Sequence, residues 1–263
     1  MRFLVTQLLR FAWVEARCCV FAVAVFGGLA VSRIVPLPIA RYDALLVYCV
    51  LVTALFWRIG WETGREVLVI AGFHLVGLVF ELVKVPLGSW AYPEAAVTKV
   101  LGVPLYSGFL YAAVGSYVVA AWRLFDLRVS GYRAVPTAAV AGAIYVNLIT
   151  HYWLPDLRWP LAGALVAVTW GATVHFTVGG HRYRMPLALS FVLIGFFLWL
   201  AENIATFFGA WRYPHQLEAW RVVDPAKFGA WAMLISVTFV LVAAFHARAG
   251  LLREPVRPLP AHR

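Results

Sequence analysis

Eight mostly apolar runs, each about as long as a bilayer core is thick, limit what this chain can fold into. A helix crosses the hydrocarbon core with ~20 apolar residues. The runs fall at roughly 17–35, 43–59, 66–85, 104–123, 135–153, 160–178, 186–207 and 226–247. They do not alternate apolar with polar residues as membrane barrel strands do. The chain therefore reads as an all-α membrane protein with about eight transmembrane helices. Of its 263 residues 63% are hydrophobic and only 13% charged, too few to clothe a water-soluble domain of this length. Prolines punctuate the runs. Pro36 and Pro38 close the first and Pro86 ends the third, while Pro104, Pro136, Pro160, Pro186 and Pro225 sit at later starts, where a missing N–H costs least. No linker separates soluble domains, so residues 1–263 are expected to form one integral membrane domain, with a loose Pro- and Arg-rich tail at 251–263. Arg2, Arg10 and Arg17 precede the first run without a small-x-small cleavage site, which predicts an uncleaved first span.

The net charge of +10 does not point to nucleic acid, because the basic residues form no patch and no nucleic-acid motif is present. They sit mainly in short loops, where they set orientation and meet anionic lipid. The N-terminus, the loops near 60, 128 and 182, and the C-terminus together hold fourteen arginines, against eight Lys/Arg on the other side. Both termini are expected to be cytoplasmic. Cys18, Cys19 and Cys49 lie in or beside apolar runs and read as small buried hydrophobes.

One stretch occurs twice. ELVKVPLGSWAYP at 81–93 returns as ENIATFFGAWRYP at 202–214. At an offset of 121 residues Glu81 matches Glu202, Gly88 Gly209, Trp90 Trp211, Tyr92 Tyr213, Pro93 Pro214, Pro104 Pro225 and Gly108 Gly229. The third and fourth runs map onto the seventh and eighth. Two parallel four-helix repeats are expected, at about 1–125 and 126–250, related by an axis along the membrane normal. The glycine supplies a turn at the helix end, the proline an extended exit, and the aromatic pair rings suited to the head-group level.

Glycine turns, aromatic belts and prolines are common in membrane proteins that do no chemistry, so the glutamates carry the functional signal. An ionisable group inside a span faces the bundle interior or a watery cavity. Lys84 stands three residues after Glu81 as a candidate ion-pair partner, whereas Ala205 takes that place after Glu202. His74, Asn147, His151 and Tyr106 fall near the same level, although a lone histidine on an apolar face is more often a hydrogen-bonded core residue than a base. The candidate site is thus Glu81 and Glu202 as the acid and its partner, with Trp90, Tyr92, Trp211, Tyr213, His74, His151, Asn147 and Tyr106 around a substrate. HExxH, CxxC and His-x-x-His patterns are absent, as are phosphate-loop and dinucleotide fingerprints, so neither metal nor cofactor is read from the sequence.

The stretch FELVKVPLGSWAYPEAAVTKVLGVPLYSGFLYAAVGSY, 80–117, resembles the bacterial integral-membrane family called domain of unknown function 817, the YoaT-like proteins. That resemblance implies a bacterial inner-membrane protein and no particular activity. Glu81, Gly88, Trp90, Tyr92 and the step Gly102–Val103–Pro104 are also similar to elements of the membrane carotenoid cyclases and hydratases, whose Pro-x-Glu-Glu element has no counterpart here. That likeness implies acid chemistry on an isoprenoid.

Three functions fit. The first is an enzyme protonating a double bond of an isoprenoid or other lipid-soluble substrate, since desolvation favours a neutral carboxyl able to act as an acid. The second is a transporter or binder of a small cation or proton-coupled solute. The third is a structural membrane protein without catalysis. All three need the lipid bilayer and none needs nucleic acid.

Overall fold

A computed structural model describes residues 2–248, and the expected loose tail at 251–263 lies outside the described residues. The helices are α1 (Arg2–Cys18), α2 (Val20–Ile34), α3 (Arg41–Arg58), α4 (Gly64–Lys84), α5 (Gly108–Leu124), α6 (Ala134–Thr150), α7 (Arg158–Val168), α8 (Leu187–Phe207) and α9 (Ala226–Arg248). Four stretches are long and apolar enough to cross a membrane: α4, Leu105–Leu124, α8 and Ala226–His246. The pair α1–α2, bent by 63°, makes a fifth if taken as one span.

Local chemistry sets the ends that matter. Thr63 and Glu66 cap α4 reciprocally: the Glu66 N–H donates to Thr63 Oγ1 at 3.3 Å and the Thr63 N–H to Glu66 Oε2 at 2.6 Å. The other end of α4 closes at Gly88, which takes a left-handed φ of 73°. There the Ser89 N–H reaches the Lys84 carbonyl and the Gly88 N–H the Val85 carbonyl. After α8 the arrangement recurs at Gly209, φ 69°, with Ala210 N–H to Ala205 carbonyl and Gly209 N–H to Thr206 carbonyl. Both are six-to-one and five-to-two closures of the Schellman kind, and both need a residue free to adopt positive φ.

The largest helix contacts are α4 on α5 and α8 on α9, with α9 also against α6. Without a hydrophobic drive between helices in lipid, close approach depends on small residues. Gly77 lies under the Tyr111 ring, Gly115 under Phe73, and Gly195 against the backbone of Ala232. The most enclosed helix is α5, where Ala112, Ala113, Gly115, Ser116, Val118 and Val119 are all buried. Many long side chains on the other helices face outward, Leu68, Leu75, Phe197 and Phe207 among them, as a lipid-facing surface requires.

Four expectations are corrected. The first run, 17–35, is the 15-residue helix α2, shorter than expected for a span, and a further helix that the run did not include, α1, precedes it across a bend at Cys19. The sixth, 160–178, is not one helix: α7 stops at Val168 and Thr173–Val178 is a strand. Nor is the fold all-α. Strands β1 (Lys99–Val100) and β2 (Val103–Pro104) form a small hairpin after α4, and β3 (Arg128–Ser130), β4 (Thr173–Val178) and β5 (His181–Pro186) form an antiparallel sheet in the order β3-β4-β5. Val178 pairs with His181 across Gly179 and Gly180, both at positive φ, the two-glycine hairpin turn that matches strand twist. His181–Arg184, expected as a lipid-facing loop, is therefore the second strand of that hairpin. The sheet rests on α1 through Phe11, which packs on Phe125 and Phe176.

Candidate functional site

The two Trp-x-Tyr-Pro segments meet. Ala91, between Trp90 and Tyr92, and Arg212, between Trp211 and Tyr213, form an antiparallel bridge, with N–H to carbonyl distances of 2.8 and 2.9 Å in the two directions. The Schellman turns deliver both chains to this bridge in extended form. Beneath it lie the ends of α4 and α8 and both glutamates, 3% and 4% exposed.

Glu81 is saturated with donors. Its Oε2 accepts from Trp90 Nε1 at 2.7 Å and from Tyr92 Oη at 3.0 Å, and its Oε1 accepts from Tyr111 Oη at 3.0 Å. Glu202 accepts from Tyr213 Oη on Oε1 and from Trp231 Nε1 on Oε2 at 2.8 Å. In both motifs, then, the tyrosine eleven residues on turns back to the glutamate. The loop phenols of Tyr92 and Tyr213 are pushed well above their usual range, first by burial and then by the neighbouring carboxylate, so they stay protonated as donors. The Trp90 ring meets Tyr213 edge to face at 6.0 Å, and Lys227 Nζ lies 5.8 Å from the centre of Trp90 and 4.8 Å from that of Tyr213. These contacts make one buried layer from residues of both segments.

Other candidates hold the frame. Tyr106 Oη donates to the Ala210 carbonyl at 2.7 Å, joining the start of the α5 stretch to the end of α8. Asn147 secures the loop before α7, donating to the Pro155 carbonyl at 2.9 Å and accepting the Leu157 N–H at 3.2 Å. His151 Nδ1 lies 3.1 Å from the Leu148 carbonyl. His74 packs on Phe109 with centroids 4.4 Å apart, and its buried Nδ1 has no partner among the described residues. The expected Glu81–Lys84 ion pair does not form: Lys84 Nζ donates to the Leu148 carbonyl at 3.2 Å and lies over the Tyr152 ring. Trp211 is buried, but its indole donates to neither glutamate.

Sequence reasoning missed Tyr111 and Trp231, which reach the acids from α5 and α9 by packing rather than by motif spacing. It also missed Arg41. This guanidinium, buried at the start of α3, donates to the Phe208 and Gly209 carbonyls at 2.8 and 3.1 Å, to the Leu29 carbonyl at 3.2 Å and to Glu94 at 2.8 Å. It satisfies carbonyls at the end of α8 and ties them to the loop following Tyr92.

A narrow cleft of about 30 Å³ opens beside the layer. Phe73, Phe80, Tyr145 and Leu198 make it almost wholly apolar, and Tyr111 and Trp231 stand in its wall. The donor that faces Glu81 and the donor that faces Glu202 therefore border one cavity.

No solved structure matches the chain. The curated protein described as "Uncharacterized protein YoaT" from Bacillus subtilis (strain 168) is 49% identical over 245 residues, covering 91% of this chain and 92% of that protein. The model of the family described as "Protein of unknown function (DUF817)" matches residues 7–239. With a match of that length and a relative of that identity, this chain belongs to the DUF817 family.

Proposed function

We propose that this protein is a multi-pass enzyme of the bacterial inner membrane that moves a proton onto a double bond of an isoprenoid or similar lipid-soluble substrate. The carrying observation is the shared cleft: Tyr111 and Trp231 line it, and each donates to one of the two buried glutamates. A tyrosine hydroxyl both donates and accepts, whereas an indole N–H only donates. Glu81 therefore acts as proton source through Tyr111. The step starts from a protonated Glu81 with the Tyr111–Glu81 hydrogen bond turned round, the carboxyl O–H donating to Tyr111 Oη and the phenol O–H facing the substrate: as Tyr111 gives its proton to an alkene carbon, it takes one from the Glu81 carboxyl. A C–H bond forms from the alkene π pair and a carbocation remains. Glu202, fixed by Tyr213 and Trp231, stabilises that charge together with the faces of Phe73, Phe80 and Tyr145. Loss of a neighbouring proton back along Tyr111 to Glu81 shifts the double bond and restores the site, with no oxidant or reductant needed.

The proposed topology has two parallel four-helix halves, α2–α5 and α6–α9, with both termini cytoplasmic and α1 lying along the membrane surface. Its support is connectivity. β3 and β4 pair although α6 lies between them in sequence, so residues 151–172 must return to the end from which α6 departed. The same sheet end carries Arg128, Arg182 and Arg184, as the positive-inside rule asks of a cytoplasmic face. On α1, Leu4, Leu8, Leu9 and Trp13 are exposed, the apolar face of an interfacial helix.

The test compares lipid extracts of cells expressing the wild type, Glu81→Gln, Glu202→Gln or no protein. Conversion of a lipid should fall by about a hundredfold or more on loss of the acid. Lipid profiles equal to the no-protein control in every case remove the enzyme reading. A second reading, proton-coupled movement of a small solute, draws on the Phe80–Trp90 stack at 6.1 Å, because Phe80 lines the apolar cleft and Trp90 a second hollow that holds Lys99 and Arg212. Solute uptake into proteoliposomes that is lost in Glu81→Gln would favour it. Unaltered lipids and uptake, with lowered stability in both variants, would leave the motif as a folding device.

A further inference from the structure

The hollow beyond the bridge has a different chemistry from the cleft. It holds about 300 Å³, open to the outside, and both Lys99 and Arg212 line it, with Trp90 and Tyr92 at its back and Val85 and Leu217 at its sides. No carboxylate is among the described residues lining it, and neither cation is in an ion pair among the described residues. Lys99 is held in place by neutral acceptors only, the Tyr92 and Glu94 carbonyls at 2.8 and 3.1 Å. Among the described residues Arg212 makes a single side-chain hydrogen bond, to the Leu217 carbonyl at 3.3 Å, which uses one of its five donors. Its backbone is fixed by the Ala91 bridge. Of the nearby carboxylates, Glu94 is engaged by Arg41 and Arg33.

Two preset cations flanking one hollow without a counter-charge attract an anion, and an arginine fork beside a lysine point charge suits phosphate oxygens. We propose that this hollow binds the phosphate group of an anionic ligand, with Arg212 and Lys99 as its partners. The apolar sides formed by Val85, Pro214 and Leu217 fit the glycerol and upper chain of an acidic phospholipid. Exposed Val97, Leu101 and Val222 at this end of the molecule place the hollow at the level of lipid head groups. A free phosphate offers the same oxygens without the apolar body, and the two sources are separable. The inference does not depend on the chemistry of the glutamates.

The experiment titrates the full chain in non-ionic detergent, by calorimetry, with dihexanoyl phosphatidylglycerol and separately with inorganic phosphate. Saturable binding of the lipid alone assigns a head-group site; binding of phosphate with equal strength assigns a free-anion site. Arg212→Gln should weaken the bound species about tenfold, and Arg212→Lys should restore most of that loss. Arg221→Gln, which alters an exposed arginine on the same loop outside the hollow, should change nothing. Because a variant can fail to fold, the wild type supplies its own check: binding must weaken as salt rises. No saturable binding of either probe, wild-type affinity in folded Arg212→Gln, or salt-insensitive binding overturns the proposal.

Discussion

Trp90 and Trp211 hold matching places in the two motifs, yet only Trp90 gives its N–H to a carboxylate; at Glu202 that role falls to Trp231. Replacing each tryptophan by phenylalanine should separate them. Trp90→Phe and Trp231→Phe each remove a hydrogen bond to a buried acid and should cost about 1.5–3 kcal/mol more than packing alone, whereas Trp211→Phe should cost only packing. Thermal unfolding in detergent reads this, and equal losses for all three would contradict the assigned partners. A second residue-scale prediction concerns Glu62, in the loop between α3 and α4. It is 1% exposed, with Oε1 accepting from Ser116 Oγ at 2.8 Å and Oε2 without a partner among the described residues. Burial pushes its carboxyl up to about 7. A group that holds its proton more tightly when folded stabilises the fold below the ordinary carboxylate range, and that contribution is lost as pH rises through about 7. Stability should therefore fall between about pH 5 and pH 8, and Glu62→Gln should flatten the fall; an unchanged slope assigns the dependence to other groups.

At the scale of elements, helix contacts rest on missing side chains. A Cβ at Gly195 would lie 2.6 Å from the Ala232 backbone, so α8 and α9 must separate to admit it. Gly195→Ala should destabilise the protein by about 1–3 kcal/mol, read as a lowered unfolding midpoint, while Gly142→Ala, with nothing near its Cβ, should not destabilise it; equal effects would refute the packing. How legible these elements were follows from their physics. Helices α4, α5, α8 and α9 were plain in the sequence, since length and apolarity alone define a lipid-spanning helix. The strand at Thr173–Val178 was missed because its apolar side chains pass equally for a helix end; the Gly179–Gly180 pair between β-branched and aromatic residues was the available hairpin signal. The glutamates, tyrosines and glycines of the motif were legible from their spacing. Tyr111, Trp231 and Arg41 were not, because only tertiary packing brings them to the acids and to the end of α8.

Taken whole, the molecule sets two helix pairs, α4–α5 and α8–α9, beside one another and joins their ends through the Ala91–Arg212 bridge. That junction gives the acids their shared layer, the apolar cleft on one side and the cationic hollow on the other. Solvent deuterium reports proton delivery from this layer to carbon, the step on which the proposed chemistry turns. Isolated membranes containing the wild type, Tyr111→Phe or Glu81→Gln, incubated in heavy water and washed back into light water, should differ in their lipids by mass spectrometry. Non-exchangeable deuterium is expected on an unsaturated lipid with the wild type, with near-complete loss in both variants, Tyr111→Phe included although its ring still fills the cleft wall. Equal deuterium in all three samples, or none in any, would contradict it.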